Sequence, residues 1–361
     1  MKALLVRLED FRLLPIFVVV SMVIGIAIGN LLHISDFALT PPIDALKSIA
    51  GGTFEPNVPN ILSLGVPIGL FLMMYPAMTN VRLTEVGQAF RSPRQLGVVL
   101  FFNYLIAPFV MLGLANVFVT DPELHTGLVL YGLAPCIAMV IIFTFLAKGN
   151  TPMALVFVAL NSVAQIILIP VYARLLIGDV DFDVWVVAQS VVLYLGLPLV
   201  LGVATRMIVV RRHGEEGMDA LKPILNGVSI LGLLFTLIVM FALKGDLILQ
   251  RPAIVLEMAI PMTLFFITMF FVVLLVGWRL RFSYRDAVAV AFSATGRDFE
   301  IAIAIAITAF SPTVALATVV GPLIEVPVML FLVWAAMRLA PVLFGVRADG
   351  GTPVAVEGAT A

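Results

Sequence analysis

Long apolar runs alternate with short polar breaks along nearly the whole chain. A helix that crosses a bilayer needs about 20 mostly apolar residues. Ten stretches meet that length: Leu13–Leu32, Asn60–Met78, Leu96–Val119, Gly127–Ala147, Pro152–Leu176, Val184–Val209, Leu221–Leu243, Ala253–Trp278, Ala287–Phe310 and Thr313–Leu339. The connections are short except the first, Ile34–Pro59. It holds Pro41-Pro42 and Gly51-Gly52 and is expected to lie along the membrane surface. The pattern predicts an all-α integral membrane protein of ten transmembrane helices. A first five-helix set covers 1–176, a linker 177–183, and a second set 184–341. Residues 342–361, rich in Gly, Ala, Thr and Val, are expected to form a disordered tail.

Five crossings per half would turn the second half upside down. An internal repeat would then be inverted, as in many secondary transporters. The fourth segment carries a helix breaker at Pro135 and the ninth at Gly296. Discontinuous helices near the midplane leave N–H and C=O groups unpaired and present half-helix dipole ends to a substrate. A shift of 160 residues sets Cys136 on Gly296, Asn161 on Gly321 and Gln165 on Glu325, with few identities around them.

Composition agrees with the pattern: 62% of residues are hydrophobic and only 12% charged. That excludes an ordinary soluble domain. The formal net charge of −1, with no basic run, offers nothing to nucleic acid. One cysteine excludes a disulfide framework and a multi-thiolate metal site. His33, His125 and His213 are scattered and form no zinc-protease pattern. No metal site, cofactor or enzymatic activity is expected. The first apolar run is too long for a signal-peptide core and is read as a retained span.

Charge placement tests the helix count. With a cytoplasmic N-terminus and ten crossings, the inside regions hold Lys2, Arg7, Arg12, Arg82, Arg91, Arg94, Lys148, Arg206, Arg211, Arg212, Lys222, Arg279, Arg281, Arg285, Arg338 and Arg347. The outside loops hold Lys47, Arg174, Lys244 and Arg251, together with acids such as Asp121, Glu123, Asp179, Asp181 and Asp183. Sixteen of the 21 basic residues fall inside against four outside, a clear positive-inside bias. Both termini are therefore expected on the cytoplasmic side of the inner membrane.

The ninth segment departs most from this apolar scheme. In Ser293-Ala-Thr-Gly-Arg-Asp-Phe-Glu300, three ionisable side chains fall within four residues. Each costs roughly 2.5–3.5 kcal/mol in hydrocarbon on insertion scales and so needs a partner or a watered path. Arg297 and Asp298 can pair or bond to opened backbone, a structural role. Glu300 shares the face of Arg297 and can gain or lose a proton as its surroundings change, which points to proton carriage. In the tenth segment, Glu325 stands between Pro322 and Pro327. It reads as a functional acid or a satisfied structural one.

Other stretches leave alternatives open. Met73, Met74 and Met78 read as a soft-metal path or as flexible packing beside proline. Cys136 follows Pro135, whose ring frees a carbonyl one turn earlier, so the thiol is either a packing residue or a reversible ligand for a thiophilic species. Asn161 and Gln165, four apart and on one helix face, either bridge helices or line a pathway.

Taken in order, several segments resemble the arsenite permeases, the Acr-type arsenical-resistance transporters of the bile acid/sodium symporter superfamily. They are Pro67-Ile-Gly-Leu70 with Met73-Met-Tyr-Pro76, Gly132-Leu-Ala-Pro-Cys-Ile-Ala-Met-Val140 with Leu146-Ala-Lys-Gly149, and Leu160-Asn-Ser162 with Gln165. Arg297-Asp-Phe-Glu-Ile-Ala302 and Gly321-Pro-Leu-Ile-Glu-Val-Pro-Val328 complete the match. The resemblance implies two inverted five-helix repeats with the fourth and ninth helices broken and crossing. It implies export of arsenite, or a similar small oxyanion or neutral metalloid such as antimonite, in exchange for protons. On that pattern Cys136 is the essential cysteine and Glu300 the ninth-helix glutamate, with Arg297, Asp298 and Glu325 shaping the pocket. The family usually has Trp-Asn at Phe143-Thr144 and an asparagine at Asp298. The alternative is a sodium-coupled importer of an organic anion. There Arg297 would face the anion, and Asn161, Gln165 and Glu300 would hold sodium.

Overall fold

A computed structural model of the chain describes residues 14–31, 58–79, 92–137, 139–178, 182–250 and 253–346. The N-terminal segment through residue 13, residues 34–57 of the long first connection, Asp179 and Asp181, and the tail beyond 346 lie outside the described residues. Helix α1 spans Leu14–Leu31 and α2 Val58–Thr79. Helices α3 (Pro93–Leu100) and α4 (Ala107–Phe118) are joined by a π-helical turn, Phe101–Ile106. There follow α5 (Pro122–Leu133), α6 (Met139–Leu146), α7 (Thr151–Leu176) and α8 (Val184–Val191). A second π turn, Val192–Gly196, leads into α9, Leu197–Gln250. The chain ends with α10 (Ala253–Arg279), α11 (Tyr284–Thr295), α12 (Phe299–Ala309), α13 (Pro312–Val319) and α14 (Gly321–Phe344).

Five helical stretches among the described residues are long and apolar enough to cross a membrane: Pro93–Phe118, Thr151–Leu176, Val184–Ala242, Ala253–Arg279 and Thr313–Phe344. Local chemistry starts several of the helices. Asp121, Asn150, Asp183, Ser283, Asp298 and Ser311 each accept a backbone N–H from the first turn they precede.

Three boundaries differ from the sequence pattern. The expected connection between the sixth and seventh segments is shorter than the pattern suggests. Helix reaches Gly214 from both sides; there the chain leaves helical geometry and two helices meet at a kink, with a φ of 68° that suits glycine. The charged residues around it are good helix formers, and Arg206 grips both oxygens of Glu215 at 3.0 and 2.8 Å across that kink. The tenth segment is divided at Val320, between α13 and α14. Helix α14 then continues to Phe344, past the expected start of the tail at 342, and ends at Gly345 in the left-handed region.

The helices pack as two groups. Helix α9 lies against α1 and α2, while α10 packs on α4, α11 and α14, and α5 on α4 and α13. Helix α8 bridges between them, touching α7 and α12. On that seam Ser190 of α8 meets Thr308 of α12 in a short hydroxyl contact. Each hydroxyl also lies 2.7 Å from a carbonyl of its own helix, Val186 or Ala304.

The fourth and ninth segments are each split. Helices α5, α6, α11 and α12 have 12, 8, 12 and 11 residues, too short to cross a bilayer singly. Their unwound links pass each other antiparallel, with Pro135 opposite Arg297. The Cys136 N–H donates to Gly296 O at 3.0 Å, and the Asp298 N–H donates to Ala134 O at 2.8 Å. This corrects the shift of 160. Pro135 and Arg297 are 162 apart, as are Cys136 and Asp298, and the cap residues Asp121 and Ser283. The matched positions share geometry rather than residue type, so identity could not reveal the register.

Gly296 is set by this crossing. A β-carbon there would lie 2.8 Å from Val140 Cγ2 and 3.0 Å from Cys136 Cβ. Gly296→Val should push the links apart and destabilise the protein by about 1–3 kcal/mol, lowering its melting temperature in detergent. Gly113→Ala, where no atom lies within 4 Å of the added carbon, should leave that temperature unchanged or higher.

Candidate functional site

A helix ends with carbonyls that have no partner inside it, and its dipole makes that end negative. Helices α5 and α11 both end inside the apolar core, where each bare carbonyl is costly. One side chain answers both. Arg297, fully buried, donates from Nε to Thr295 O (3.2 Å), from Nη2 to Ala294 O (2.6 Å) and from Nη1 to Gly132 O (3.2 Å). Nη2 also donates to Asn103 Oδ1 at 2.7 Å, and the guanidinium lies 5.3 Å from the Phe265 ring centroid. Asn103 is aimed by its own amide, which donates to Ser293 O at 2.9 Å. It sits on the first π turn, a distortion frequent at functional sites.

Glu325, buried on α14, completes the frame. Its Oε2 accepts from the Tyr131 hydroxyl at 2.7 Å and its Oε1 from the backbone N–H of Arg297 at 3.3 Å. The acid thus ties α14 to the last turn of α5 and to the ninth-segment link. Both oxygens are occupied within the protein.

Two side chains stand at the starts of the following half-helices. Asp298 Oδ1 accepts from Ile301 N–H at 3.1 Å and caps α12. Cys136 stands just before α6, which begins at Met139. Cys136 is buried and reduced. Glu300 is buried in the first turn of α12, two residues after its cap Asp298, and Asp298 Oδ2 is buried with no hydrogen-bond donor. The crossing therefore gathers Cys136, Arg297, Asp298, Glu300 and Glu325, framed by Pro135 and Gly296.

Asn161 and Gln165 lie elsewhere, buried on α7. Asn161 Oδ1 accepts from the Tyr104 hydroxyl at 3.4 Å, while its Nδ2 and both polar atoms of Gln165 have no partner. Tyr104 follows Asn103 on the π turn, and its carbonyl accepts a short bond from Tyr172 of α7. Met73, Met74 and Met78 are buried in the apolar core, Met78 close beside Gly202 of α9. At the departure from the family pattern, Phe143 stacks on Phe292 at 6.0 Å, and the Thr144 hydroxyl is buried without a partner.

Asn103, Tyr104 and Tyr131 were not singled out by sequence reasoning. An amide in a largely apolar third segment, which also holds Asn116, was the available signal for Asn103. Nothing local marked Tyr131, whose partner is 194 positions away.

Two broken helices that cross inside an apolar helical bundle, with ionisable groups gathered at their ends, are the architecture of a secondary transporter. Comparison with known proteins agrees. Residues 67–251 match the model of the Sodium Bile acid symporter family. The chain is 34% identical over 348 residues to the arsenical-resistance protein Acr3 of Corynebacterium glutamicum, covering 92% of this chain and 90% of that protein. It is 34% identical to Acr3 of Alkaliphilus metalliredigens, covering 91% and 92%. Against an uncharacterized transporter of Synechocystis sp. the identity is 33%, covering 91% and 88%. The chain belongs to the sodium bile acid symporter family, among its Acr3-type members, and is a multi-pass membrane transporter rather than an enzyme.

Arg297→Met should leave the carbonyl ends of α5 and α11 without a donor and cost about 3–5 kcal/mol. Arg297→Lys should restore only part of that, because an ammonium lacks the planar fork. Melting temperature and folded yield in detergent measure both.

Proposed function

We propose that this transporter exports arsenite across the inner membrane by alternating access in exchange for protons, with antimonite as a second cargo. The carrying observation is the position of the chain's one cysteine. Cys136 stands at the crossing, at the start of α6, with the Asp298 and Glu300 carboxyls beginning the opposite half-helix. Arsenite is the neutral acid As(OH)3, so it needs a soft ligand more than a counter-charge. The Cys136 thiol exchanges with one hydroxyl: S–H and As–O bonds break, an As–S bond forms, and water leaves with the proton. Water reverses the step, and a single sulfur keeps release easy. The names of the Acr3 relatives point to the same cargo.

Glu300 carries the coupling proton, and Arg297 and Glu325 hold the crossing together. Asn161 and Gln165, with amide atoms unpartnered in the core, line the path of the cargo. The chain crosses the membrane ten times as two inverted five-helix halves, with both termini cytoplasmic. The 162-residue register of paired links and helix caps supports that inversion. An organic anion coupled to sodium is poorly supported. The one guanidinium that could receive it is occupied by three carbonyls and Asn103.

The test is uptake into everted membrane vesicles, comparing arsenite with an organic anion under separate proton and sodium gradients. Arsenite should accumulate only with the proton gradient; sodium-driven uptake of the anion would overturn the reading. Cys136→Ser should lower arsenite transport at least about tenfold, a loss of roughly 1.4 kcal/mol or more in transition-state stabilisation. Full resistance in that variant would remove the thiol from the mechanism. Glu300→Gln should fold normally and lose proton-driven exchange.

A further inference from the structure

Charge balance at the crossing leaves two carboxyls unaccounted for. Arg297 is the cation gathered there, and its fork is committed to Gly132, Ala294, Thr295 and Asn103. Glu325 is the buried acid beside it: one oxygen accepts the backbone N–H of Arg297 and the other the Tyr131 hydroxyl. One guanidinium can balance at most one of the three buried carboxyls, Asp298, Glu300 and Glu325. The groups facing those two are each other, the Cys136 thiol of the opposite link and Glu325 of α14. Tyr131 of α5 and Tyr104 of the π turn face Arg297. None of these supplies a second positive charge.

Two carboxylates side by side in an apolar interior, with no cation, repel each other and lack hydration. We propose that Asp298 and Glu300 form one proton-holding pair, and that the pair, not Glu300 alone, sets the number of protons exchanged per arsenic. The inference rests on the proton-coupled export described above. Asp298 is built for this role because its two oxygens differ. Oδ1 is tied to the first turn of α12, so the helix stays capped whatever its partner does. Oδ2 is buried and has no donor from the protein, so a proton shared with the neighbouring acid would satisfy it. Protons then leave in two steps that belong to the pair rather than to either residue.

Asp298→Asn tests this directly, because an amide oxygen keeps the cap on Ile301 while removing the second acid. In proteoliposomes, proton flux is read with an entrapped pH dye and arsenic by elemental analysis. Relative to wild type, the variant should exchange about one proton fewer per arsenic, and its flux should depend less steeply on pH. An unchanged ratio and slope would overturn the pair. If wild-type protein moves no arsenite, or moves it without protons, the functional reading fails instead. A readout independent of transport covers the case of an inactive variant. Infrared spectra of purified wild-type protein at neutral pH should contain the C=O stretch of a buried protonated carboxyl. The band should shift in Asp298→Asn and disappear in Asp298→Asn/Glu300→Gln; a band untouched by both would refute the proposal.

Discussion

The end of a helix is harmless in water and expensive in a membrane. Here two such ends, those of α5 and α11, are brought to the same place inside the core, and a single guanidinium serves both. Much of the site depends on that arrangement. It lets the two links unwind, which frees the starts of α6 and α12, and it fixes the height at which they cross. Asn103 aims the guanidinium and Glu325 holds its backbone. The bonding to opened backbone expected of Arg297 from the sequence is, in the fold, the pin of the scaffold.

The local two-fold relation of the links separates backbone from chemistry. Each link donates one N–H to the other, and each leads into the next half-helix. The backbone roles match, but the side chains do not. On one side stands a thiol; on the other, a carboxylate that caps α12. One backbone device, used twice, thus sets two unlike side chains at matching positions 162 residues apart in sequence.

What could be read from the sequence was local. The apolar runs, Pro135 and Gly296 as breakers, and the charges at 297, 298 and 300 all announce themselves within a few residues. The assembled frame does not. Arg297 reaches partners 165 and 194 positions away, and Tyr131 meets Glu325 across 194. The shift of 160 did not pair the two links, which meet at a spacing of 162 through backbone contacts that residue identity does not mark. The charged stretch around Gly214 was read as a loop because polarity suggested one, although its residue types also favour helix. Asn161 and Gln165 were correctly marked as buried amides on one helix, but their neighbour is the π turn rather than the crossing.

The contact between Ser190 and Thr308 bears on how the two helix groups move apart. Most polar contacts in a membrane core resist separation, because each partner would be left bare. These two hydroxyls each have a fallback, a carbonyl one turn back in the same helix. Parting the two hydroxyls would therefore leave neither without an acceptor in its own helix.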